Sequence, residues 1–165
     1  MERNRDLVGR RWERWIRRAL LCVLLAVCLL GVANVFGQRP GTATSATDRA
    51  QLDLLAPAAL RGGLLYESRI TISARAELKD ARIVLARGWN EGLTINTIEP
   101  SPIGEASADG LLSLDLGHVP AGKQYVLYLQ FQVNPTTLGR RSQDVELYDG
   151  DERLLTRTHS MIVFP

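Results

Sequence analysis

The residues QYVLYLQFQV, numbers 124 to 133, decide the fold class of this chain. Apolar and polar side chains alternate along the whole stretch, with the glutamines, Val126 and Tyr128 on one side. A period of two is typical of a β-strand that is buried on one face. The core side of the predicted strand carries Tyr125, Leu127, Leu129, Phe131 and Val133.

The same alternation recurs along the chain after residue 50. It is clear over 66–74, and weaker patterns separated by Pro- and Gly-rich turns predict the other strands. Asp149-Gly150 favours a tight hairpin turn. Because no segment here has the period of an amphipathic helix, we predict a mainly β protein with an antiparallel Ig-like β-sandwich of 7–8 strands. A closed barrel stays open as an alternative. The further predicted strands are 51–55, 81–86, 93–98, 111–116, 142–148 and 152–164.

Three motifs carry a family resemblance: RITISAR at 69–75, EGLTINTIEPSP at 91–102 and LDLGHVPAGKQYVLYLQFQV at 114–133. Together the run 64–133 resembles the immunoglobulin-like modules of bacterial and archaeal surface proteins, of the cell-adhesion-related and S-layer-associated repeat type. Residues 77–80 depart from the asparagine-rich turn of that family. The resemblance implies a spacer or binding unit with no catalytic residues.

The N-terminal part contains an uncharged apolar run, ALLCVLLAVCLLGVANVFG, at residues 19–37. As a helix it would be about 28 Å long, close to the thickness of the hydrocarbon core of a bilayer. We therefore expect a permanent transmembrane helix rather than a cleaved signal, whose best cleavage sites would lie at 35–37 or 43–46. A lipoprotein processing box at 25–28 is a further alternative.

The charges flanking the apolar run predict its orientation. Residues 1–18 contain seven arginines and three acidic residues, a net charge of +4. The positive-inside rule then keeps this basic tail in the cytoplasm and places the C-terminal domain outside the plasma membrane. Residues 38–50 read as a flexible stalk and residues 51–165 as the extracytoplasmic sandwich.

The basic tail also has two tryptophans at helical spacing among its arginines. These residues would either lie in the headgroup layer against anionic lipid or extend the spanning helix and anchor its end. In both cases the lipid bilayer is their partner. The predicted membrane anchor and interface residues are Arg11, Trp12, Arg14, Trp15, Arg17 and Arg18.

Several functional classes are disfavoured by composition. After residue 37 the chain has 13 basic and 15 acidic residues, so there is no basic excess for nucleic acid. Both cysteines lie in the apolar run, and neither histidine has a metal-binding spacing. The acidic group Asp149, Asp151 and Glu152 reads as a hairpin tip rather than a Ca²⁺ loop. Without a catalytic motif, we expect no enzyme, no cofactor and no metal.

Two aromatic residues are candidates for a binding surface. Trp89 is expected to fill the core at the edge of the sandwich, with surface exposure as the alternative. Tyr128 is placed by the alternation on the polar side of its strand, where an aromatic ring suits a protein interface or a sugar.

The sequence therefore predicts a single-pass membrane-anchored protein. Its external Ig-like domain would serve as an interaction module or accessory subunit in a bacterial cell envelope, with an envelope or membrane protein as partner. The alternative is a secreted carbohydrate-binding module released by signal cleavage.

Overall fold

The computed structural model describes residues 11–35 and 37–165. The chain divides into two compact units, residues up to 37 and residues from 38 onward, and each is described by itself. The described residues of the first unit contain one helix, and the second unit is built from β-strands.

Helix α1 comprises Arg11–Val32, 22 residues. Its segment Trp12–Val32 is long and apolar enough to cross a membrane, and the protein itself buries none of the apolar stretch. At about 1.5 Å per residue, 21 residues span roughly 32 Å. The segment is a candidate membrane span by length and composition, and an N-terminal signal sequence would satisfy the same criteria. The helix begins and ends earlier than the predicted 19–37.

The second unit contains twelve strands and one short 3-10 turn, Arg87–Trp89. The prediction of a mainly β, antiparallel sandwich is confirmed. The strands are β1 (Arg39–Ala46), β2 (Ala50–Arg61), β3 (Leu65–Ala74), β4 (Leu78–Leu85), β5 (Leu93–Glu99), β6 (Gly104–Ala108), β7 (Leu111–Val119), β8 (Gln124–Val133), β9 (Gly139–Ser142), β10 (Val145–Asp149), β11 (Glu152–Arg157) and β12 (Ser160–Phe164).

The strands form two sheets. The large sheet has seven strands in the order β5-β8-β3-β2-β12-β9, with β1 paired to β2. The small sheet has the order β11-β10-β4-β7-β6. Every pairing is antiparallel except that of β12 with β2, which is parallel. Strand β8 therefore lies inside the large sheet, between β5 and β3.

The core lies between the inner faces of the sheets. Leu127, Leu129 and Phe131 on β8 are fully buried, as their alternation predicts. The Phe131 ring stacks on Tyr66 with 5.2 Å between centroids, and it lies 5.3 Å from the ring of Trp89. These rings form one aromatic cluster, and such contacts add about 0.5–1.5 kcal/mol per pair beyond simple burial.

The predicted flexible stalk at 38–50 is wrong over most of its length. Residues Arg39–Ala46 form β1, which pairs with β2 along its whole length and buries Ala43. The stretch is rich in small and polar residues, so it has little hydrophobic alternation of its own. It becomes a strand because β2 offers it an unpaired edge.

The strand count also differs from the prediction of seven or eight. Strand β6 consists mostly of small exposed residues and β9 has only four residues, so neither carries a readable pattern. The predicted final arm, 152–164, is two strands. Strand β11 stays in the small sheet, whereas β12 pairs with β9 and β2 in the large sheet.

Candidate functional site

The outward surface of the large sheet is the candidate site, and we call it the outer face. Side chains alternate across a strand, so the partners of the buried residues on β8, β3 and β5 point away from the core. Most of them are polar. The outer face includes Leu65, Glu67, Arg69, Thr71, Ser73, Thr97, Glu99, Gln124, Val126, Tyr128, Gln130 and Gln132.

A row of three cross-strand partners lies in the outer face. Tyr128 on β8 pairs with Arg69 on β3 and with Glu99 on β5. Directly opposite residues have Cβ atoms about 4.5–5.5 Å apart, so the phenol lies between a cation and an anion. We call these three residues the Tyr128 row.

The Tyr128 row is free to bind. The Tyr128 side chain is 40% exposed, although β8 is an interior strand of the sheet. Within the described residues, no hydrogen bond or ion pair joins the side chains of Tyr128, Arg69 or Glu99 to another group. The row can therefore offer a phenol, a guanidinium and a carboxylate to a partner without first breaking internal bonds.

Neighbouring polar side chains of the outer face are already bonded to each other. The Gln124 amide donates to Ser73 Oγ at 3.1 Å, and Thr44 on β1 donates to Asp53 on β2 at 2.6 Å. These bonds hold the surroundings of the row in place. Near the start of β3, a shallow cavity of about 220 Å³ is lined by residues of β3 and β8, namely Leu65, Tyr66, Glu67, Gln130 and Phe131.

Trp89 does not belong to this site. Its side chain is fully buried, and its indole Nε1 donates to the Asp144 carbonyl at 3.1 Å. The interpretation of Trp89 as a core residue is confirmed, and the alternative of a surface-exposed ring is wrong. The two predicted candidates are thus separated, one in the core and one on the outer face.

The buried tyrosine of the aromatic cluster has a structural role. Burial raises the pKa of Tyr66, and its hydroxyl accepts a hydrogen bond of 2.9 Å from the buried Gln143 amide. Such a phenol stays protonated in the physiological range. Tyr66 therefore ties β3 to the segment before β10 and has no acid–base part to play.

The histidines and the acidic hairpin tip also have local partners. His118 Nε2 lies 2.9 Å from Glu77, and His159 Nε2 lies 3.2 Å from the Pro57 carbonyl. Asp149 accepts hydrogen bonds from the Lys79 and Asp80 amides and pairs with Arg49. In the described part of the chain, no group of three or more His, Cys, Asp or Glu side chains could hold a metal ion.

The predicted membrane residues lie at the start of α1. Trp12 and Trp15 are exposed, and the Arg18 guanidinium lies over the Trp15 ring at 5.6 Å from its centroid. Arg11 begins the helix, and Arg14 and Arg17 follow within its first two turns. An arginine paired with an indole at a helix end is typical of an interfacial anchor. Membrane contact of these residues stays a prediction.

The sequence reasoning missed Arg69 and Glu99 as neighbours of Tyr128. The alternation of 66–74 already placed Arg69 on a polar face, so part of the signal was present. The sequence pattern did not give the strand order or the register, because residues 69, 99 and 128 are far apart in the chain and become neighbours only when the strands pair.

Comparisons with known proteins add little about function. No protein-family model matches the chain, and no curated protein matches it. Among solved structures, the chain is similar to CaCohA2 from Clostridium acetobutylicum, with 13% identity, a TM-score of 0.48, and coverage of 79% of this chain and 94% of that one. It is similar to a non-cellulosomal cohesin from the archaeon Archaeoglobus fulgidus, with 10% identity, a TM-score of 0.43, and coverage of 77% and 92%. It is also similar to the C-terminal domain of wzt, with 14% identity, a TM-score of 0.43, and coverage of 79% and 82%.

Likenesses of this strength do not transfer a function. The coarse expectation of a β-sandwich module is confirmed by the fold. The particular surface-protein module type that the three motifs resemble stays a hypothesis.

Proposed function

We propose that this protein is a membrane-anchored interaction module that binds a partner protein through the outer face of its large sheet. The observation that carries the proposal is the Tyr128 row. In it an exposed phenol on an interior strand lies between a guanidinium and a carboxylate, and within the described residues none of the three side chains has a hydrogen-bond or ion-pair partner.

The composition of the row suits a protein interface. Tyrosine and arginine are enriched among the residues that contribute most to protein–protein binding, because they combine a large apolar surface with polar tips. A neighbouring pair of opposite charges adds specificity, since a partner must present its own charges in the reverse order. The surrounding glutamines and hydroxyls can form the polar rim of such an interface.

The shape of the face favours a macromolecule over a small ligand. Pockets for small molecules are concave and mostly apolar, with volumes of about 300–1,000 Å³. The cavity at the edge of the outer face, near Leu65 and Gln130, has about 220 Å³ and is shallow. A broad sheet surface with one exposed ring is better suited to the side chains of another protein.

Helix α1 would tether the sandwich to the plasma membrane, with the arginine-rich N-terminus in the cytoplasm and the sandwich outside. The support is the charge asymmetry across the apolar segment. Tethering raises the concentration of the outer face near partners in the same membrane, so a modest intrinsic affinity is sufficient. A partner in the cell envelope fits this arrangement. We propose a non-enzymatic role, because the Tyr128 row contains no nucleophile–base pair.

The proposal can be tested in the cells that produce the protein. The full chain carries a C-terminal tag, is cross-linked in intact cells, purified in mild detergent and analysed by mass spectrometry. The same experiment is run with Tyr128→Ala and with Ile103→Ala as a matched control. Ile103 is another exposed side chain, 79% accessible, but it precedes β6 of the small sheet.

The expected result is one stoichiometric protein partner whose recovery falls by about tenfold or more in Tyr128→Ala and is unchanged in Ile103→Ala, as for a residue at the centre of an interface. A partner that is retained by both variants would refute the outer face as the interface. An N-terminal sequence beginning after residue 35 on the mature protein would refute the permanent anchor.

A further inference from the structure

A second polar surface lies at the β9 edge of the large sheet, at the opposite end of the strand order from the Tyr128 row. Two open cavities of about 380 and 550 Å³ meet here, and both are lined by Arg140 and Ser142. Arg87 and Arg141 line the smaller cavity, and Thr158, His159 and Ser160 line the larger one. We call the two together the arginine groove.

The backbone holds the basic end of the groove in place. An added Cβ at Gly88 would lie 1.9 Å from the Ser142 carbonyl oxygen, so the 3-10 turn packs directly on the end of β9. The Asp144 carbonyl accepts the Trp89 indole N–H at 3.1 Å and the Ala86 amide at 3.0 Å. These contacts place Arg87 of the turn beside the arginines of β9.

The positive charge in the groove is only weakly compensated. Arg140 donates to the neutral Ser160 hydroxyl at 3.0 Å, and Arg141 lies 3.9 Å from Glu91. Within the described residues, no hydrogen bond or ion pair holds the Arg87 guanidinium. The lining of the smaller cavity therefore includes three arginines and one loosely held carboxylate, in a region after residue 37 whose net charge is −2.

The second acidic group of the groove is engaged locally. Asp144 accepts a hydrogen bond from the Ser142 hydroxyl at 2.8 Å and one from the His159 amide at 3.1 Å. Both carboxylate oxygens therefore have donors before any ligand arrives. Asp144 orders the loop between β9 and β10 and does not pair with the arginines.

The larger cavity has a different chemistry. Its lining carries the hydroxyls of Ser142, Thr158 and Ser160 together with the His159 ring, and it has no exposed aromatic residue. Such groups donate to and accept from the hydroxyls of a polyol. The groove thus has a cationic end and a hydroxyl-rich end, joined at Arg140.

We propose that the arginine groove binds an acidic saccharide. The guanidiniums of Arg87 and Arg140 would hold its carboxylate or phosphate group, because the planar guanidinium fork matches both oxyanions. The hydroxyl-rich end would hold the adjoining sugar ring. Strands β2 and β12 separate this site from the Tyr128 row, so it stands or falls independently of the proposed protein partner.

The test measures binding by isothermal titration calorimetry with the full chain in a polyoxyethylene detergent, which carries neither sugar nor charge. The probes are a galacturonate trisaccharide, glucose 1-phosphate, a neutral galactose trisaccharide and inorganic phosphate. The variant is Arg87→Gln combined with Arg140→Gln. Arg61→Gln with Arg153→Gln is the matched control, because it removes two charges elsewhere on the sandwich surface.

We expect at least one acidic sugar to bind with a Kd below about 1 mM, and the neutral trisaccharide and inorganic phosphate to bind at least tenfold more weakly. The groove variant should weaken acidic-sugar binding by about tenfold or more, and the control variant by less than twofold. Binding should also weaken as salt is raised.

Three results would overturn the proposal. The first is that neither acidic sugar binds. The second is that the neutral trisaccharide or inorganic phosphate binds as tightly as the acidic sugars. The third is that the control variant loses as much affinity as the groove variant. Equal thermal unfolding of the three proteins checks that the substitutions leave the fold intact, as expected for exposed arginines.

Discussion

Removal of the Asp149 carboxylate should destabilise the sandwich far more than a surface substitution does. Asp149 ends β10 at the hairpin turn, and one of its oxygens accepts the Lys79 amide at 2.8 Å and the Asp80 amide at 3.0 Å. Its other oxygen pairs with Arg49. One side chain thus joins β4, β10 and the turn that follows β1.

The expected cost follows from these bonds. Hydrogen bonds to a charged group are worth about 1.5–3 kcal/mol each when buried, and here they are partly open to water. About 1 kcal/mol for each amide, with a small contribution from the half-exposed Arg49, gives about 2 kcal/mol for Asp149→Ala. For a domain of this size that lowers the Tm by about 8 °C.

The control is Asp151→Ala, two residues further along the same hairpin. Asp151 is fully exposed, and its nearest cation, Arg82, lies at 4.0 Å. Its loss should leave the urea midpoint unchanged within the error of the assay. The assay is urea unfolding of the full chain in detergent, followed by Trp89 fluorescence in a background with Trp12→Phe and Trp15→Phe.

The pH dependence adds a second criterion. Hydrogen bonds from the Asp80 and Lys79 amides, with Arg49, hold the pKa of Asp149 below its usual range in the folded state. A carboxyl with a lowered pKa contributes stability above its unfolded pKa and loses it as the pH falls through the folded value. The difference between wild type and Asp149→Asn should be full at pH 7 and shrink below about pH 4. Equal stability of Asp149→Ala and Asp151→Ala, or a difference between wild type and Asp149→Asn that does not shrink as the pH falls below about 4, would refute the reasoning.

Three further predictions concern other parts of the molecule. Trp89→Ala should cost about 3–5 kcal/mol, because the indole is fully buried against Phe131, and urea unfolding followed by circular dichroism measures the loss. Tyr66→Phe should cost about 1–2 kcal/mol in the same assay, because it leaves the buried Gln143 amide without its acceptor. Ser107→Cys, on exposed β6, should react in intact cells with a membrane-impermeant maleimide if the sandwich faces outward, whereas wild type should not.

The long alternating strands were predictable because burial on one side imposes a period of two. The predicted strand 124–133 matches β8 residue for residue, and the hairpin at Asp149-Gly150 is present between β10 and β11. Each pattern is local, and the pairing partners need not be known to read it.

Elements that depend on a neighbour could not be read in this way. Strand β1 has few apolar residues and forms because β2 provides its pairing partner. The chain passes from β11 in the small sheet to β12 in the large sheet through the loop around His159, and no change in composition marks that point. The same limit applies to function. Tyr128 could be placed on a polar face, but the arginine and the acid beside it depend on register across three strands.

The most direct test of the interaction module is site-specific photo-cross-linking from the Tyr128 row. p-Benzoylphenylalanine replaces Tyr128 in one protein and Arg153, an exposed position on β11 of the small sheet, in another. After irradiation of intact cells, position 128 should give one discrete adduct with a single protein, and position 153 should not give that adduct. Absence of an adduct from position 128 in a folded, membrane-bound protein, or the same adduct from both positions, would contradict the assignment of the outer face as the binding surface.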